Sequence, residues 1–441
     1  MEAPVARVID LVDTASQKLW DLDIVEARRR LLANDPSGVL SIAGSYALVA
    51  QDSNRVCLAR SLDRPLRYFL AKDSAGPALV VADRIDDIQG ELRARGWSDQ
   101  FHPTYTRMAP AHVVTTLRLI GCPDPNPVYT RFLDPPRGVL APDLDLIGTH
   151  YIAALLDEMR HWLRNLDKKA PIGVAFSGGL DSGAVLLCLT RALLESGQSA
   201  ARLKAFTLAV DGGGTDAQQA REFLRRTSLE FLGETIEVPS ESVSVDEAVA
   251  IIEDYKPLDV QCAAVALALF RGIRERYPEW ALLVDGDGGD ENLKDYPIEE
   301  NRELTIRSVV NNRMLYQEGW GCDSIKHSLT FSGGYSRACV RTYASLRRYG
   351  FTGFSPLTRP GVVAVAEAIP FADLAQGSTT RLYALKPELV ARGIRAVLGI
   401  EMPVFPKRRF QRGATTLEAA ARLYAADEAA YRRRFFAQYG A

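Results

Sequence analysis

The sequence predicts an α/β fold, a doubly wound parallel sheet preceded by a truncated α+β unit. Three observations predict it. Between Ile172 and Asp285, apolar runs of strand length alternate with helical patterns, the order that builds a parallel sheet with helices on both faces. The first of those runs breaks into a glycine turn, Ser177-Gly178-Gly179-Leu180-Asp181-Ser182, which opens a helix. Residues 1–120 read differently, as helices followed by short paired strands.

Bulk properties narrow the class. At 441 residues the chain has room for two or three domains, each with its own core. A hydrophobic content of 47% and a charged content of 24% are those of an ordinary soluble protein. A net charge of −2 gives no overall attraction to nucleic acid or to an anionic membrane. No apolar run is long enough to span a bilayer, and Met1 to Asp10 lacks the basic-then-apolar pattern of a signal peptide. The six cysteines are scattered without a CxxC pair, which argues against a zinc or iron–sulfur site and suits a reducing cytoplasm. Cys188 and Cys262 fall inside apolar helical patterns and read as small core residues.

Taken in order, Val8, Leu11, Val12, Leu19 and then Ile24, Ala27, Leu31 suggest two amphipathic helices. Val39 to Ala50 and Arg55 to Ala59 read as neighbouring strands, and Arg67 to Ala71 with Ala78 to Ala82 as a hairpin. Cys122 to Pro127, Pro135-Pro136 and Pro142 form a stiff, donor-poor connector, which places the domain boundary there: residues 1–140, then 145–441. A helix from Leu146 to Leu166 leads into the strand Ile172 to Phe176, followed by a helix from Gly183 to Leu194. Strands at Leu203 to Val210, Phe231 to Val238 and Ala281 to Asp285 are separated by helices at Asp216 to Arg226 and Val260 to Tyr277.

The glycine turn carries the first chemistry. Gly178 and Gly179 let the backbone bend close to an anion. The free N–H groups and positive end of the following helix then hold that anion. Ser177 and Ser182 add hydroxyl donors, and Asp181 suits a magnesium ion riding on phosphates. No Gly-Lys-Ser/Thr closes the turn, so it is not a Walker A loop. It resembles the SGGxDS loop of the ATP pyrophosphatases, which cleave ATP between the α- and β-phosphates. That resemblance implies an adenine nucleotide hydrolase-like sheet. It also implies that Phe176, Ser177, Gly178, Gly179, Leu180, Asp181 and Ser182, with Leu208 and Gly286, bind ATP.

The second constellation is Asp285-Gly286-Asp287-Gly288-Gly289-Asp290-Glu291. Carboxylates crowded on one turn repel unless a cation holds them, although a solvated acidic loop would carry the same residues. Both turns fall at carboxyl ends of strands, where ligands of such sheets sit. Asp181 and Asp290 are therefore the expected pair for Mg2+. The loop resembles the SGxGxDE segment of asparagine synthetases and their relatives, the β-lactam synthetases. Asp287 stands where those families carry Glu or Tyr, and Tyr296 keeps its place in an otherwise altered segment.

Phe354-Ser355-Pro356-Leu357 is similar to the family's EARxPFLD stretch, but Thr352 replaces its acidic residue, so the general base is unassigned. Lys407-Arg408-Arg409-Phe410-Gln411-Arg412-Gly413-Ala414-Thr415-Thr416 resembles the family's late lysine loop, nearer in its ending to β-lactam synthetases. A lysine there can neutralise charge on the tetrahedral intermediate and departing phosphates; a basic surface loop is the alternative. The resemblance thus implies Lys407, Asp287 and Tyr296 as catalytic residues.

Gly44 to Val49, Leu58 to Tyr68 and Val80 to Ile85 look like the middle of a class II glutamine amidotransferase (Ntn-type) domain. Those domains begin with a catalytic cysteine after the initiator methionine. This chain begins Met1-Glu2-Ala3, and Cys57 falls mid-strand, so a degenerate domain without glutaminase activity is expected. The resemblance as a whole implies a cytoplasmic, AMP-forming carbon–nitrogen ligase. It would adenylate a small-molecule carboxylate, release pyrophosphate and couple the acyl group to an amine, with ATP and Mg2+ but no nucleic acid or membrane. A homodimer is left open. Rival readings are an asparagine synthetase-like enzyme using free ammonia, a tRNA- or nucleobase-modifying ATP pyrophosphatase, and a non-catalytic ATP-binding partner.

Overall fold

A computed structural model describes residues 7–74, 76–120, 126–295, 298–300, 305–311, 342–406, 409–424 and 426–441. Ten strands precede residue 132: β1 (Arg7–Asp10), β2 (Lys18–Trp20), β3 (Ala43–Ser45), β4 (Ala47–Asp52), β5 (Arg55–Arg60), β6 (Arg67–Asp73), β7 (Gly76–Ala82), β8 (Arg107–Met108), β9 (Val113–Arg118) and β10 (Val128–Arg131). They form sheets in the orders β1-β7-β6-β8 and β10-β9-β5-β4, with β2-β3 as a separate ribbon. The two larger sheets face each other across Val49, Val56, Leu58, Tyr68, Leu79, Val81 and Leu117. Strand alternation sends the other side chains outward. Leu48, Cys57 and Ala59 meet Ala27 and Leu31 of the helix Ile24–Ala33. Phe69, Val80 and Ala82 meet Ile88 and Leu92 of the helix Ile85–Ala94. The layering is helix, sheet, sheet, helix.

The structure departs from the sequence expectation in three places. Residues 7–10 are not helical but pair in parallel with Ala78–Val81, because the open edge of β7 takes their backbone groups whatever their local period. Val39 to Ala50 is not one strand. Pro36 opens a short helix, Pro36–Leu40, capped by the Asp35 carboxylate on the N–H of Gly38 at 2.8 Å. After it Gly44 takes φ 125°, and a Cβ there would stand 2.0 Å from the Lys18 carbonyl oxygen. Finally, the proline-flanked stretch contains β10, which completes the sheet against β9.

The second half is an α/β unit on a five-stranded parallel sheet, β11 (Ile172–Ala175), β12 (Leu203–Val210), β13 (Gly233–Val238), β14 (Leu282–Val284) and β15 (Thr352–Phe354), in the order β13-β12-β11-β14-β15. Alternation along β12 divides the core. Leu203 and Ala205 join helices Leu144–Arg164, Leu180–Glu195 and Thr379–Leu398 on one face. Phe206, Leu208 and Val210 join Val245–Ile252 and Pro257–Arg276 on the other. The adjacent central strands β11 and β14 bring the glycine turn and the acidic turn side by side. Among the described residues no helix is long and apolar enough to cross a membrane.

Candidate active site

The glycine turn is built tightly. The Phe176 N–H bonds to the Phe206 carbonyl at 2.8 Å, and Thr207 Oγ1 donates to the Phe176 carbonyl at 2.7 Å. Gly178 then takes φ 72°, and a Cβ there would lie 2.6 Å from the Ala220 nitrogen. Only glycine fits between the turn and the neighbouring helix Asp216–Arg226. Gly179 caps the helix Leu180–Glu195 and, lacking a side chain, offers no capping acceptor to its first turn. That open, positive helix end suits an anion. Ser177 Oγ and Ser182 Oγ lie 3.3 Å apart at its mouth.

The acidic turn closes on the same helix end. A Cβ on Gly286 would stand 3.0 Å from the Ser182 nitrogen, and one on Gly289 2.2 Å from Asp181 Oδ1. Glycine at 289 therefore leaves the space that the Asp181 carboxylate fills. Gly288, at φ 101°, turns the chain so that Asp290 enters the short helix Gly289–Asn292. Asn292 anchors it by donating to the Leu357 carbonyl at 2.8 Å and to Tyr151 Oη at 3.1 Å.

Asp181 and Asp290 converge, and the group between them is an ammonium. Lys386 Nζ donates to Asp181 Oδ2 at 2.6 Å and to Asp290 Oδ1, with Asp295 Oδ2 at 3.6 Å. The lysine side chain is 3% exposed. Burial works against its charge, but the carboxylates of Asp181, Asp290 and Asp295 outweigh it and hold the ammonium well above the ordinary lysine range. Asp285 is buried at the end of β14. It accepts from the Asp287 N–H at 3.0 Å and from Ser355 Oγ at 2.9 Å. Burial, reinforced by Asp287, pushes its carboxyl well above the ordinary range. Thr342 Oγ1 donates to Asp287 Oδ2.

The predicted residues thus divide. Ser177 to Ser182, Gly286 and Asp290 gather at one helix end, while the Asp287 carboxylate accepts from Thr342. The Phe176 ring instead packs edge-on against Phe223, with centroids 5.4 Å apart, and the Leu208 side chain lies in the apolar core under the sheet. Lys407 and Tyr296 lie outside the described residues. Sequence reading missed Lys386 and Thr342, and quoted Ser355 within a stretch without giving it a role. Only Lys386 left a trace: it is a lone charge on the buried stripe Leu382, Leu385, Leu389, Val390 and Gly393.

The arrangement suits a metal bound through phosphates. Two carboxylates from the first turns of separate helices meet on one cationic atom, and the helix end at Leu180 lies beside them. Among the described residues no cluster of three or more His, Cys, Asp or Glu side chains is placed to hold a metal alone. No curated protein matches the chain. Residues 157–332, which carry both turns but not Lys386, match the family described as asparagine synthase.

Proposed function

We propose that this protein is an ATP-dependent, AMP-forming ligase that adenylates a carboxylate and couples it to an amine, in the manner of β-lactam synthetases. The match over residues 157–332 supports an ATP-dependent amide-forming ligase in general. The observation that carries the finer reading is the meeting of Asp181 and Asp290, from two strand ends, at the open helix that begins at Leu180.

In this reading the N–H groups of the first helical turn and the hydroxyls of Ser177 and Ser182 grip the phosphates. Asp181 and Asp290 would hold Mg2+, which would supply charge neutralisation to the leaving pyrophosphate. Asp287 lies on the substrate side of the acidic turn, with Thr342 fixing its carboxylate. Tyr296 and Lys407 complete the catalytic set by resemblance. The α-phosphorus bonds to the carboxylate oxygen and its bond to the bridging oxygen of pyrophosphate breaks. The amine nitrogen then attacks the acyl carbon and AMP leaves. The chain's part is alignment and exclusion of water from the mixed anhydride.

The helix–sheet–sheet–helix layering of residues 7–131 supports an Ntn-like origin for the first domain. All three cysteines among the described residues, Cys57, Cys188 and Cys262, are buried. Burial also raises the Cys57 thiol above its ordinary range, the opposite of an activated nucleophile. That supports the reading that Cys57 is no glutaminase nucleophile. The test is ATP–pyrophosphate exchange screened over candidate carboxylates. Wild type is expected to exchange with at least one acid, and Asp181→Ala to lose ~100-fold or more, the scale of removing one electrostatic partner of the reaction. Equal exchange by both proteins would exclude the adenylation mechanism.

A further inference from the structure

Lys386 stands where the two carboxylates would hold a cation. It reaches that point from the helix Thr379–Leu398, which otherwise presents an apolar stripe to the core. A buried ammonium is costly unless its three protons find acceptors. Here Asp181, Asp290 and Asp295 surround it, at 2.6 Å for Asp181 and 3.6 Å for Asp295. The carboxylates are far from sealed: Asp181 is 24% and Asp290 36% exposed, against 3% for the lysine. Part of each carboxylate thus stays open to solvent while the lysine that bonds them is buried.

This geometry has two electrostatic consequences. The ammonium cancels part of the repulsion between Asp181 and Asp290, so that both face one point before any nucleotide arrives. It also lowers the attraction of that point for a free divalent ion, because a cation is already bonded to both oxygen donors. A triphosphate brings its own negative charge and reverses the balance, since the ammonium and a metal then both have anionic partners.

We propose that Lys386 is the resident counter-ion of this site: it pairs with Asp181 and Asp290 before nucleotide binds, suppresses binding of a divalent metal alone, and favours the phosphates of the incoming nucleotide. Lys386 is thus a positioning residue, and metal and nucleotide bind in a coupled way. The inference rests on the nucleotide reading above. Its test uses binding without turnover, so a failed exchange assay and a failed metal titration are separate results.

The experiment titrates Mn2+ alone, followed by its paramagnetic resonance signal, and ATP in excess EDTA, followed by calorimetry, against wild type, Lys386→Met and Lys386→Arg. Lys386→Met is expected to bind Mn2+ at least ~10-fold more tightly than wild type and metal-free ATP at least ~10-fold more weakly, a difference of one Coulombic contact. Lys386→Arg, which keeps the charge, is expected to bind Mn2+ as weakly as wild type. Unchanged Mn2+ affinity in folded Lys386→Met overturns the proposal, as does unchanged affinity for metal-free ATP. Should that variant not fold by circular dichroism, wild type carries the test. Mg2+ alone is expected to leave its melting temperature unchanged while Mg2+ with ATP raises it. An equal rise with metal alone overturns the proposal.

Discussion

Asp285 illustrates how one side chain couples the site to pH. Its carboxyl is buried beside Asp287, and both effects raise its proton affinity above the ordinary 3.8. The folded protein therefore holds this proton more tightly than the unfolded chain does. The stability it contributes is full below about pH 4 and falls as the pH rises through the raised value. Asp285→Asn keeps an acceptor for the Asp287 N–H and a partner for Ser355. Its melting temperature is expected to vary less between pH 4 and pH 8 than that of wild type, and to exceed wild type at pH 8 by about 1 °C, which is about 1 kcal/mol in a chain of this size. A calorimetric series over that range in nucleotide-free buffer checks it; parallel curves would be the contrary result. At this scale the sequence was legible where chemistry is local. Asp181 and Asp290 sit in glycine-rich turns whose geometry follows from the residues beside them. Lys386 is 205 residues from Asp181, and no neighbour in sequence announces its partners.

Among the elements, the helices Leu144–Arg164 and Thr379–Leu398 decide where Lys386 sits. They cross at two glycines. A Cβ on Gly148 would stand 2.4 Å from the Leu389 carbonyl oxygen, and one on Gly393 2.1 Å from the Gly148 carbonyl oxygen. The backbones touch there, two turns along the helix from Lys386. Gly393→Ala is expected to force the helices apart, costing about 1–3 kcal/mol of stability in a chemical denaturation series. It is also expected to weaken ATP binding, because the lysine moves with its helix. Gly90→Ala, where a Cβ meets nothing within 4 Å, is the matched control. Helix and strand periods made β12 and the helix Asp216–Arg226 readable to the residue. They misled at residues 7–10, where pairing with a distant strand overrode a helical spacing, and at Pro36–Leu40, where an Asp cap and a proline outweighed an apolar run.

For the molecule as a whole, the two halves cap each other's helices. Glu253, at the left-handed end of the helix Val245–Ile252 (φ 52°), accepts from the N–H groups of Ile85 and Asp86 at 2.7 and 3.1 Å. It thereby closes a helix that has no side-chain cap of its own. Arg84 returns the service, donating to the Ile251 carbonyl at 2.9 Å and the Ala250 carbonyl at 3.1 Å. Arg67 pairs with Glu253 at 3.2 Å, and Tyr439 Oη donates to it at 3.2 Å. Glu253 is 1% exposed. Glu253→Ala strands a buried guanidinium and two helix N–H groups, and is expected to cost about 3–5 kcal/mol by urea unfolding. Sequence reading placed a boundary between the halves because prolines cluster near residue 130, but composition holds no information about which surfaces meet. Nothing near Glu253 marks it as a partner of Arg67 and Arg84.

Those shared surfaces reach further than the caps. Trp20 belongs to the apolar cluster built around the glycine-turn helix, Ile85 to the cluster on the opposite sheet face, and Val363 to the one formed by the first helix and its sheet. Arg359 donates to the Gly44 carbonyl at 2.5 Å and lies 3.6 Å from Asp63. Selection on the carboxyl-terminal half therefore acts on the amino-terminal half through volume and contact, whatever that half does as a catalyst. A gene truncated before residue 140 would lose the buttress of its remaining enzyme, and drift in the first half should be tolerated wherever bulk and burial are preserved.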